Sequence, residues 1–330
     1  MPEEIYDNIF LIRVPLPKNP LRETNCYLLR GKGRDLLIDT CLCLPPCREV
    51  LAQELDALGA RTDALDILLT HQHGDHAGLA PEFVGREGRI YLSETELPWM
   101  QDAGTGEHRQ HMDAVFAAAG FDEALMRAFW KESYAVPMVS NPLFKGYSGL
   151  KDGERLKAGG HALTCVETPG HTPGHMCFWM ERERIMFTGD HVLFDITPNI
   201  ITWAGVPDSL GDYLGSLAAI RDYPVELALP GHRGTGDFGA RIDTLLRHHE
   251  KRLTECHALV AARGGQTAYE IAAGMRWKIR ASSWEAFPIR QKRYATGECM
   301  AHLDRLVALS RISRELDGDG PAYRYYDAAR

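Results

Sequence analysis

The sequence lacks several features that would place it in a special class of protein. Its 330 residues contain no run of about 18 apolar residues that could cross a bilayer. Met1–Asp7 lacks the basic and then apolar pattern of a secretory signal. The eight cysteines are spread unevenly along a long chain and do not resemble the framework of a small disulfide-rich scaffold. We therefore expect a soluble cytoplasmic protein with reduced cysteines and no membrane partner.

The chain also has no Gly-x-Ser-x-Gly nucleophile elbow and no nucleotide-binding fingerprint. Its charge is divided unevenly. Residues 241–330 carry 16 Lys and Arg against 11 Asp and Glu, a balance of +5. The net charge of the whole chain is −8, so residues 1–240 carry a charge of −13. A dominant acidic region argues against nucleic-acid binding by the whole molecule, whereas the basic C-terminal segment keeps that partner open locally.

The most informative feature that is present is a dense group of metal-binding side chains. His71, His73, Asp75 and His76 lie within six residues, directly after the apolar segment Ala64–Thr70. Imidazole is a common zinc ligand, and a carboxylate adds the negative charge that a divalent cation needs nearby. The apolar segment predicts a short buried strand. The group would then lie on the loop at the carboxyl end of this strand, where its side chains can converge.

Three other predicted strands are followed by residues of the same kind: His171, Asp190 and His232. A single Pro-Gly-His at a strand end would be an ordinary turn. Together with the first group, however, these residues supply five histidines and two aspartates, enough for two metal ions that share a ligand. His175 and His191 adjoin these positions, and we expect them to pack behind the ligands rather than to bind metal.

The ordered set Asp39, His71-x-His73-x-Asp75-His76, His171, Asp190 and His232 resembles the metallo-β-lactamase superfamily over about residues 5–240. The resemblance implies an α+β fold, an αββα sandwich with a dinuclear site along one edge. It implies that one metal is held by His71, His73 and His171, and the other by Asp75, His76 and His232. Asp190 would bridge the ions, and Asp75 and Asp190 would be the catalytic carboxylates. Asp39 would lie behind the ligands and orient an imidazole or support the water network.

Two cations that share Asp190 would lower the pKa of a bridging water, and the resulting hydroxide would attack a polarised carbonyl or phosphoryl group. We expect zinc. Iron and manganese stay as alternatives, because mixed histidine and carboxylate ligands suit all three metals. True β-lactamases of this superfamily commonly have a cysteine near the place of Asp190. The chain is more similar to the glyoxalase II, lactonase and ribonuclease branches, so antibiotic hydrolysis is not expected.

Two further segments accompany the predicted catalytic domain, residues 1–240. Residues 94–150 form a long insert with two amphipathic helices, whose apolar faces either join a core or form a lid over the metals. Residues 241–330 open with a long helix, continue with a capped helix after Thr267 and end in a hairpin. This second domain resembles the small winged-helix-like module of the LACTB2-like branch of the superfamily.

Two functions follow from these features. The acidic catalytic domain and the apolar insert favour a hydrolase of a small ester, thioester or lactone. The basic segments Arg276–Arg280 and Arg290–Arg293 leave an endoribonuclease or phosphodiesterase as the alternative, with RNA as a less favoured partner than a small molecule. A single-iron sulfur dioxygenase is disfavoured because Asp75, His76 and His232 form a complete second site. The oligomeric state is open, and the C-terminal segment could form a homodimer.

Other histidines and cysteines are not expected to bind metal. Cys41, Cys43 and Cys47 have metal-like spacing, but no second Cys or His pair follows, so small packing residues are favoured. Six histidines in polar, helical stretches are expected to be solvated: His108, His111, His248, His249, His257 and His302.

Overall fold

The structure is a computed structural model that describes residues 2–101, 106–133, 138–279, 281–318 and 320–328. Arg280 and the side chain of His108, both part of the sequence interpretation, lie outside this description. The chain divides into two compact units. Unit 1 comprises Met1–Gly106, Val136–Pro198 and Ser216–Ile242, and unit 2 comprises Glu107–Ala135, Asn199–Gly215 and Asp243–Arg330. The predicted domains 1–240 and 241–330 are a different division and stay a prediction.

Unit 1 contains two sheets. The first has seven strands that pair in chain order: β1 (Glu3–Tyr6), β2 (Ile9–Pro15), β3 (Glu23–Leu29), β4 (Asp35–Ile38), β5 (Leu65–Leu68), β6 (Ile90–Ser93) and β7 (Tyr147–Leu150). The second has the order β12-β11-β10-β9-β8 and consists of β8 (Arg155–Ala158), β9 (His161–Glu167), β10 (Met176–Met180), β11 (Ile185–Gly189) and β12 (Leu227–Pro230). Strands β4 to β7 run parallel to one another, and so do β11 and β12.

Strand β3 separates two apolar layers. Tyr27 and Leu29 pack in the core between the sheets, together with Phe178 and Phe187 of the second sheet. Cys26, Leu28 and the helix α1 (Pro45–Ala57) form the core on the other face of β3. Successive side chains of a strand point to opposite faces, so a strand that is buried on both faces has a continuous apolar run.

Helices cover the outside of this sandwich. Three short helices follow individual strands of the first sheet: α2 (Gly74–Ala77) and α3 (Ala80–Phe83) follow β5, and α4 (Leu97–Gln101) follows β6. Ala77, Ala80 and Met100 pack from these helices against β5 and β6. Two single 3₁₀ turns, Thr62–Ala64 and Glu94–Glu96, precede β5 and α4. The part of α7 (Ser209–Ile220) that belongs to unit 1 buries Leu217 and Ile220. The predicted αββα fold is confirmed.

Unit 2 is mainly helical, and the predicted C-terminal helical region is present. It contains α5 (Glu107–Ala118), α6 (Glu123–Ser133), α9 (Ala268–Gly274), α10 (Ile289–Ala308), most of α8 (Phe238–Ala262) and the hairpin of β13 (Ile312–Leu316) and β14 (Tyr323–Asp327). The predicted cap of α9 is formed, because the Glu270 N–H donates to Thr267 Oγ1 (3.3 Å) and the Thr267 N–H donates to Glu270 Oε2 (2.8 Å). Within the described residues, no helix is both long and apolar enough to span a membrane.

The prediction of solvated histidines is wrong for His249 and His302. Both are buried, and their rings stack with centroids 5.3 Å apart. His302 Nδ1 donates to the Glu298 carbonyl at 2.7 Å, so its Nε2 accepts a hydrogen bond from His249 Nδ1 at 3.2 Å. Burial lowers the pKa of both rings, that of His302 to about 3. The surrounding sequence is polar, but packing between α8 and α10 removes these two positions from solvent.

Candidate metal centre

The predicted ligands lie where strands of both sheets end. The segment His71–His76 follows β5, and His171, Asp190 and His232 follow β9, β11 and β12. The parallel pairs bring their carboxyl ends to the same edge. The segment was expected to be a turning loop, and within it Gly74–Ala77 forms a helical turn in which the His76 N–H donates to the His73 carbonyl at 2.9 Å. Such a turn brings residues three positions apart to one side of the chain.

Three imidazoles of the first group converge on one point. His73 Nδ1 lies 3.0 Å from His71 Nε2 and 3.0 Å from His171 Nε2. A tetrahedral zinc ion with Zn–N bonds of about 2.0–2.1 Å would hold its nitrogen ligands roughly 3.3 Å apart. The observed spacing therefore fits three nitrogens around one ion.

A second group adjoins the first. His76 Nε2 lies 3.3 Å from His232 Nε2, and His232 Nε2 lies 3.6 Å from Asp75 Oδ2. The ligand atoms of Asp75, His76 and His232 all lie within 4.8 Å of one another. Both histidines are fully buried, whereas 18% of the Asp75 side chain is exposed. This group offers two nitrogens and a carboxylate oxygen to a second ion.

Asp190 lies between the two groups. Its Oδ2 is 3.6 Å from His171 Nε2 and 3.4 Å from His232 Nε2, and its Oδ1 is 3.5 Å from His76 Nε2. A carboxylate in this position contacts ligands of both groups. Gly231 is required here by close packing, because a Cβ on it would lie 2.6 Å from Asp190 Oδ1. The donor set fits a pair of divalent cations, and its assignment as a ligand set stays a prediction.

Asp39 holds one imidazole of each group. Its Oδ2 accepts a hydrogen bond from His76 Nδ1 at 2.8 Å and another from the Thr70 hydroxyl at 2.8 Å. Because the Thr70 hydroxyl donates to Asp39, it accepts from His71 Nδ1 at 3.0 Å. In both rings the Nε2 lone pair is thereby left for a metal ion. Asp39 is thus placed where the resemblance implied a supporting carboxylate, and Thr70 is a support that the sequence analysis missed.

Two further contacts orient the second sheet's ligands. His232 Nδ1 donates to the Glu23 carbonyl at 2.6 Å, which again directs Nε2 to the site. His175 is fully buried, and its Nε2 accepts a hydrogen bond from the Asp190 backbone N–H at 3.1 Å. His175 therefore fixes the backbone of Asp190, in agreement with the expectation that it packs behind the ligands.

The two groups differ in their electrostatics. Burial, followed by the neighbouring His171, lowers the pKa of His73 to about 3. For His76, burial is the largest single influence and lowers the pKa. Asp39 and Asp190 together outweigh burial, and the pKa of His76 is raised to about 10. Burial would raise the pKa of Asp190, whereas His232 and His76 hold it well below its usual range. Burial also lowers the pKa of His71 well below its usual range, so His71 and His73 are neutral, whereas the second group concentrates carboxylate charge.

The cysteines take no part in this centre. Cys41 and Cys47 are buried in the core beneath α1, and Cys43 packs against the same core. All eight cysteines are free thiols. The interpretation of the Cys41, Cys43 and Cys47 spacing as packing residues agrees with these positions.

Comparisons with known proteins agree with the fold. The sequence model of the metallo-beta-lactamase superfamily matches residues 19–232. A solved structure of a metallo-beta-lactamase family protein from Thermus thermophilus is 31% identical, covers 98% of this chain and 100% of its own, and superposes with a TM-score of 0.80.

Two fungal relatives are also similar. A lactamase-like protein of Emericella nidulans is 27% identical over 270 residues, which cover 78% of this chain and 70% of the relative. An atrochrysone carboxyl ACP thioesterase of Aspergillus fumigatus is 26% identical over 238 residues, which cover 72% of this chain and 44% of the relative. The match thus spans less than half of the thioesterase. The extent of the superfamily match identifies this chain as a hydrolase that belongs to the metallo-β-lactamase superfamily.

Proposed function

We propose that the protein is a dinuclear metal-dependent hydrolase that cleaves a small thioester, ester or lactone. The observation that carries this proposal is the pair of adjoining ligand groups with Asp190 between them. Two divalent ions, with zinc as the first choice, would supply an activated water and polarise the acyl carbonyl when bound. The similarity to a fungal thioesterase supports an acyl substrate.

The protein's own residues have three tasks in this reaction. The Asp39 and Thr70 hydrogen bonds hold imidazoles with their Nε2 atoms free, and His175 holds the backbone of Asp190. We assign the third task to Asp75, the ligand carboxylate with a partly exposed side chain. Its position allows it to pass a proton between the site and solvent.

An endoribonuclease of the LACTB2-like type, with a winged-helix-like module, is the alternative. It requires basic and aromatic side chains of the C-terminal segment to face RNA. In unit 2, however, the Trp277 Nε1–H donates to the Ala272 carbonyl, and the Arg252 guanidinium lies 4.2 Å from the Trp277 ring centroid. Arg293 is also buried, and its guanidinium lies 3.8 Å from the Phe116 ring centroid. These side chains are used in packing, which favours the small-molecule substrate.

The test is a substrate panel on metal-free protein that has been reloaded with zinc, manganese or iron. The panel contains acyl thioesters, esters, lactones and a single-stranded RNA. A persulfide is tested as a further substrate, with oxygen consumption as the readout for dioxygenase activity. His73→Ala removes a central ligand, and His111→Ala, at an exposed position on α5, is the matched control. We expect thioester or lactone turnover that requires metal, is abolished by His73→Ala and is unchanged by His111→Ala.

Each other outcome contradicts the proposal in a defined way. Metal-dependent RNA cleavage without acyl turnover would establish the alternative. Iron-dependent oxygen consumption would identify a dioxygenase. Wild-type protein that retains no metal after loading would exclude all three functions.

A further inference from the structure

Glu96 is a buried carboxylate for which the proposed reaction has assigned no task. It ends the 3₁₀ turn Glu94–Glu96 between β6 and α4, and it is 0% exposed. Its neighbour Glu94 is exposed and forms an ion pair with Lys151 at 3.7 Å. Among the described residues, no Lys, Arg or His side chain forms an ion pair with Glu96. A buried charge without a cationic partner is costly, so its retention needs a physical reason.

The contacts of Glu96 lead to the two segments that carry the first ligand group. The Gly174 backbone N–H donates to Glu96 Oε1 at 3.2 Å. Burial raises the pKa of Glu96 to about 7, and the Thr172 side chain and the Gly174 and Gln72 backbone N–H groups oppose that rise, which places all three beside the carboxylate. Thr172 Oγ1 itself makes no hydrogen bond to any described residue. Gln72 lies between the ligands His71 and His73 in the sequence, and Thr172 directly follows the ligand His171.

Close packing shows that this contact is built into the fold. A Cβ on Gly174 would lie 2.7 Å from Glu96 Cγ and 2.8 Å from Ser93 Oγ, so this backbone can approach the carboxylate only as glycine. Ser93 in turn caps the 3₁₀ turn, because its hydroxyl accepts the Thr95 N–H at 3.2 Å. Glu96 is therefore held on a fixed turn of the first sheet while it binds a loop of the second.

We propose that Glu96 is a positioning residue for the three-histidine group, joining the segment of His71 and His73 to the segment of His171 and supplying charge for the ion bound there. This inference rests on the proposed dinuclear site. The three imidazoles are neutral ligands, so a divalent ion among them gains little charge compensation from its own group. The carboxylate of Glu96 acts on that ion through the peptide N–H groups of Gly174 and Gln72.

The experiment uses Glu96→Gln, which keeps the shape of the side chain and removes its charge, with Glu94→Gln as the matched control. Metal affinities are measured by competition with a chromophoric chelator, and the unfolding temperature is measured on metal-free protein. Loss of a supporting partner typically weakens metal affinity by about 10–100-fold. We expect this loss for one of the two ions in Glu96→Gln, none in Glu94→Gln, and no fall in the unfolding temperature of metal-free Glu96→Gln.

Two further backgrounds identify the affected ion. His76→Ala disables the second group and His73→Ala disables the first. Glu96→Gln should weaken the remaining ion in the His76→Ala background and leave it unchanged in the His73→Ala background. Should Glu96→Gln fail to fold, Thr172→Val removes the hydroxyl that lies beside the carboxylate and should weaken the same ion.

The results separate this inference from the proposed function. Two ions bound with wild-type affinity in Glu96→Gln would overturn the inference and leave the dinuclear hydrolase intact. So would equal weakening of both ions, or a lower unfolding temperature with unchanged metal affinity, since either result indicates a general structural role. A wild-type protein that binds no metal would instead overturn the proposed function itself.

Discussion

Replacement of Asp39 by asparagine tests whether one carboxylate holds both ligand groups. Asp39 accepts hydrogen bonds from His76 Nδ1 and the Thr70 hydroxyl on Oδ2, and from the Thr70 backbone N–H on Oδ1, each at 2.8 Å. An asparagine must place its NH₂ group toward one of these donors. The backbone φ of Asp39 is 58°, a conformation that asparagine also adopts, so the substitution should not strain the main chain.

The expected loss is specific to metal binding. Loss of a partner behind a ligand costs about 10–100-fold in metal affinity, which is roughly 1.4–2.7 kcal/mol. Asp35, at the other end of β4, provides a matched control. It is buried and accepts the Arg61 N–H at 2.8 Å and the Gly31 N–H at 2.9 Å. Asp35→Asn should therefore lower the unfolding free energy by about 1–3 kcal/mol and leave metal affinity unchanged.

The assay is chelator competition at fixed pH, with denaturant unfolding of each metal-free variant. We expect Asp39→Asn to weaken both ions, the His76 group directly and the His71 group through Thr70. Wild-type affinities in Asp39→Asn would refute the argument. Equal weakening in Asp35→Asn would also refute it, because the effect would then come from the stability of β4 and not from imidazole orientation.

Three other outcomes are expected. Gly231→Ala should fold but bind less than one ion per chain, because its Cβ would lie 2.6 Å from Asp190 Oδ1. Elemental analysis measures the metal content, and a full content would contradict the described packing. The pKa of His76 is about 10, so a metal ion must displace a proton to bind there. Chelator competition between pH 6 and 9 should therefore show metal affinity of the His76 group rising about tenfold per pH unit. His73, with a pKa of about 3, adds no such pH dependence. The pKa of about 3 at His302 lies below its value in the unfolded chain, so the unfolded chain takes up a proton first as the pH falls. The free energy of unfolding, measured in urea, should therefore decrease by up to ~1.4 kcal/mol per pH unit as the pH is lowered from about 6.5 to 3. His302→Leu should flatten that slope.

The strands that the sequence predicted ahead of the candidate ligands bury apolar residues. β9, the strand before His171, alternates, with Leu163 and Cys165 in the core, and β5, the strand before His71, buries Ile67 and Leu68. The strands that were missed include β1 and β8, whose residues are mostly exposed or half-buried. These strands lie at sheet edges, where one side has no partner strand and little apolar surface is covered. Their extended conformation comes from pairing with a neighbour, which a local pattern does not record.

The same distinction applies within the metal centre. The candidate ligands could be named from the sequence because histidines and aspartates in dense groups at strand ends are unusual. Thr70, Glu96 and Gly174 could not be predicted, because threonine, glutamate and glycine occur throughout the chain. Only the fold brings Glu96, at the end of a turn in the first sheet, to the Gly174 loop of the second. The sequence therefore indicated which atoms could bind metal, and the structure adds the groups that orient them.

A balance of charge links the ligands to their supports. Two divalent ions would bring a charge of +4 into a buried site, while the five histidines would be neutral as ligands. Asp75 and Asp190 would offset half of that charge. A metal-bound hydroxide and the two buried carboxylates behind the predicted ligands, Asp39 and Glu96, would contribute to the remainder. Neither of these carboxylates has a lysine or arginine partner among the described residues. A carboxylate that is costly to bury alone becomes favourable beside a cation. On the proposed function, the cation offsets the cost of burying Glu96, whose pKa burial raises to about 7. Above that pH the metal-free protein should gain stability when the charge of Glu96 is removed, whereas the metal-loaded protein should lose stability.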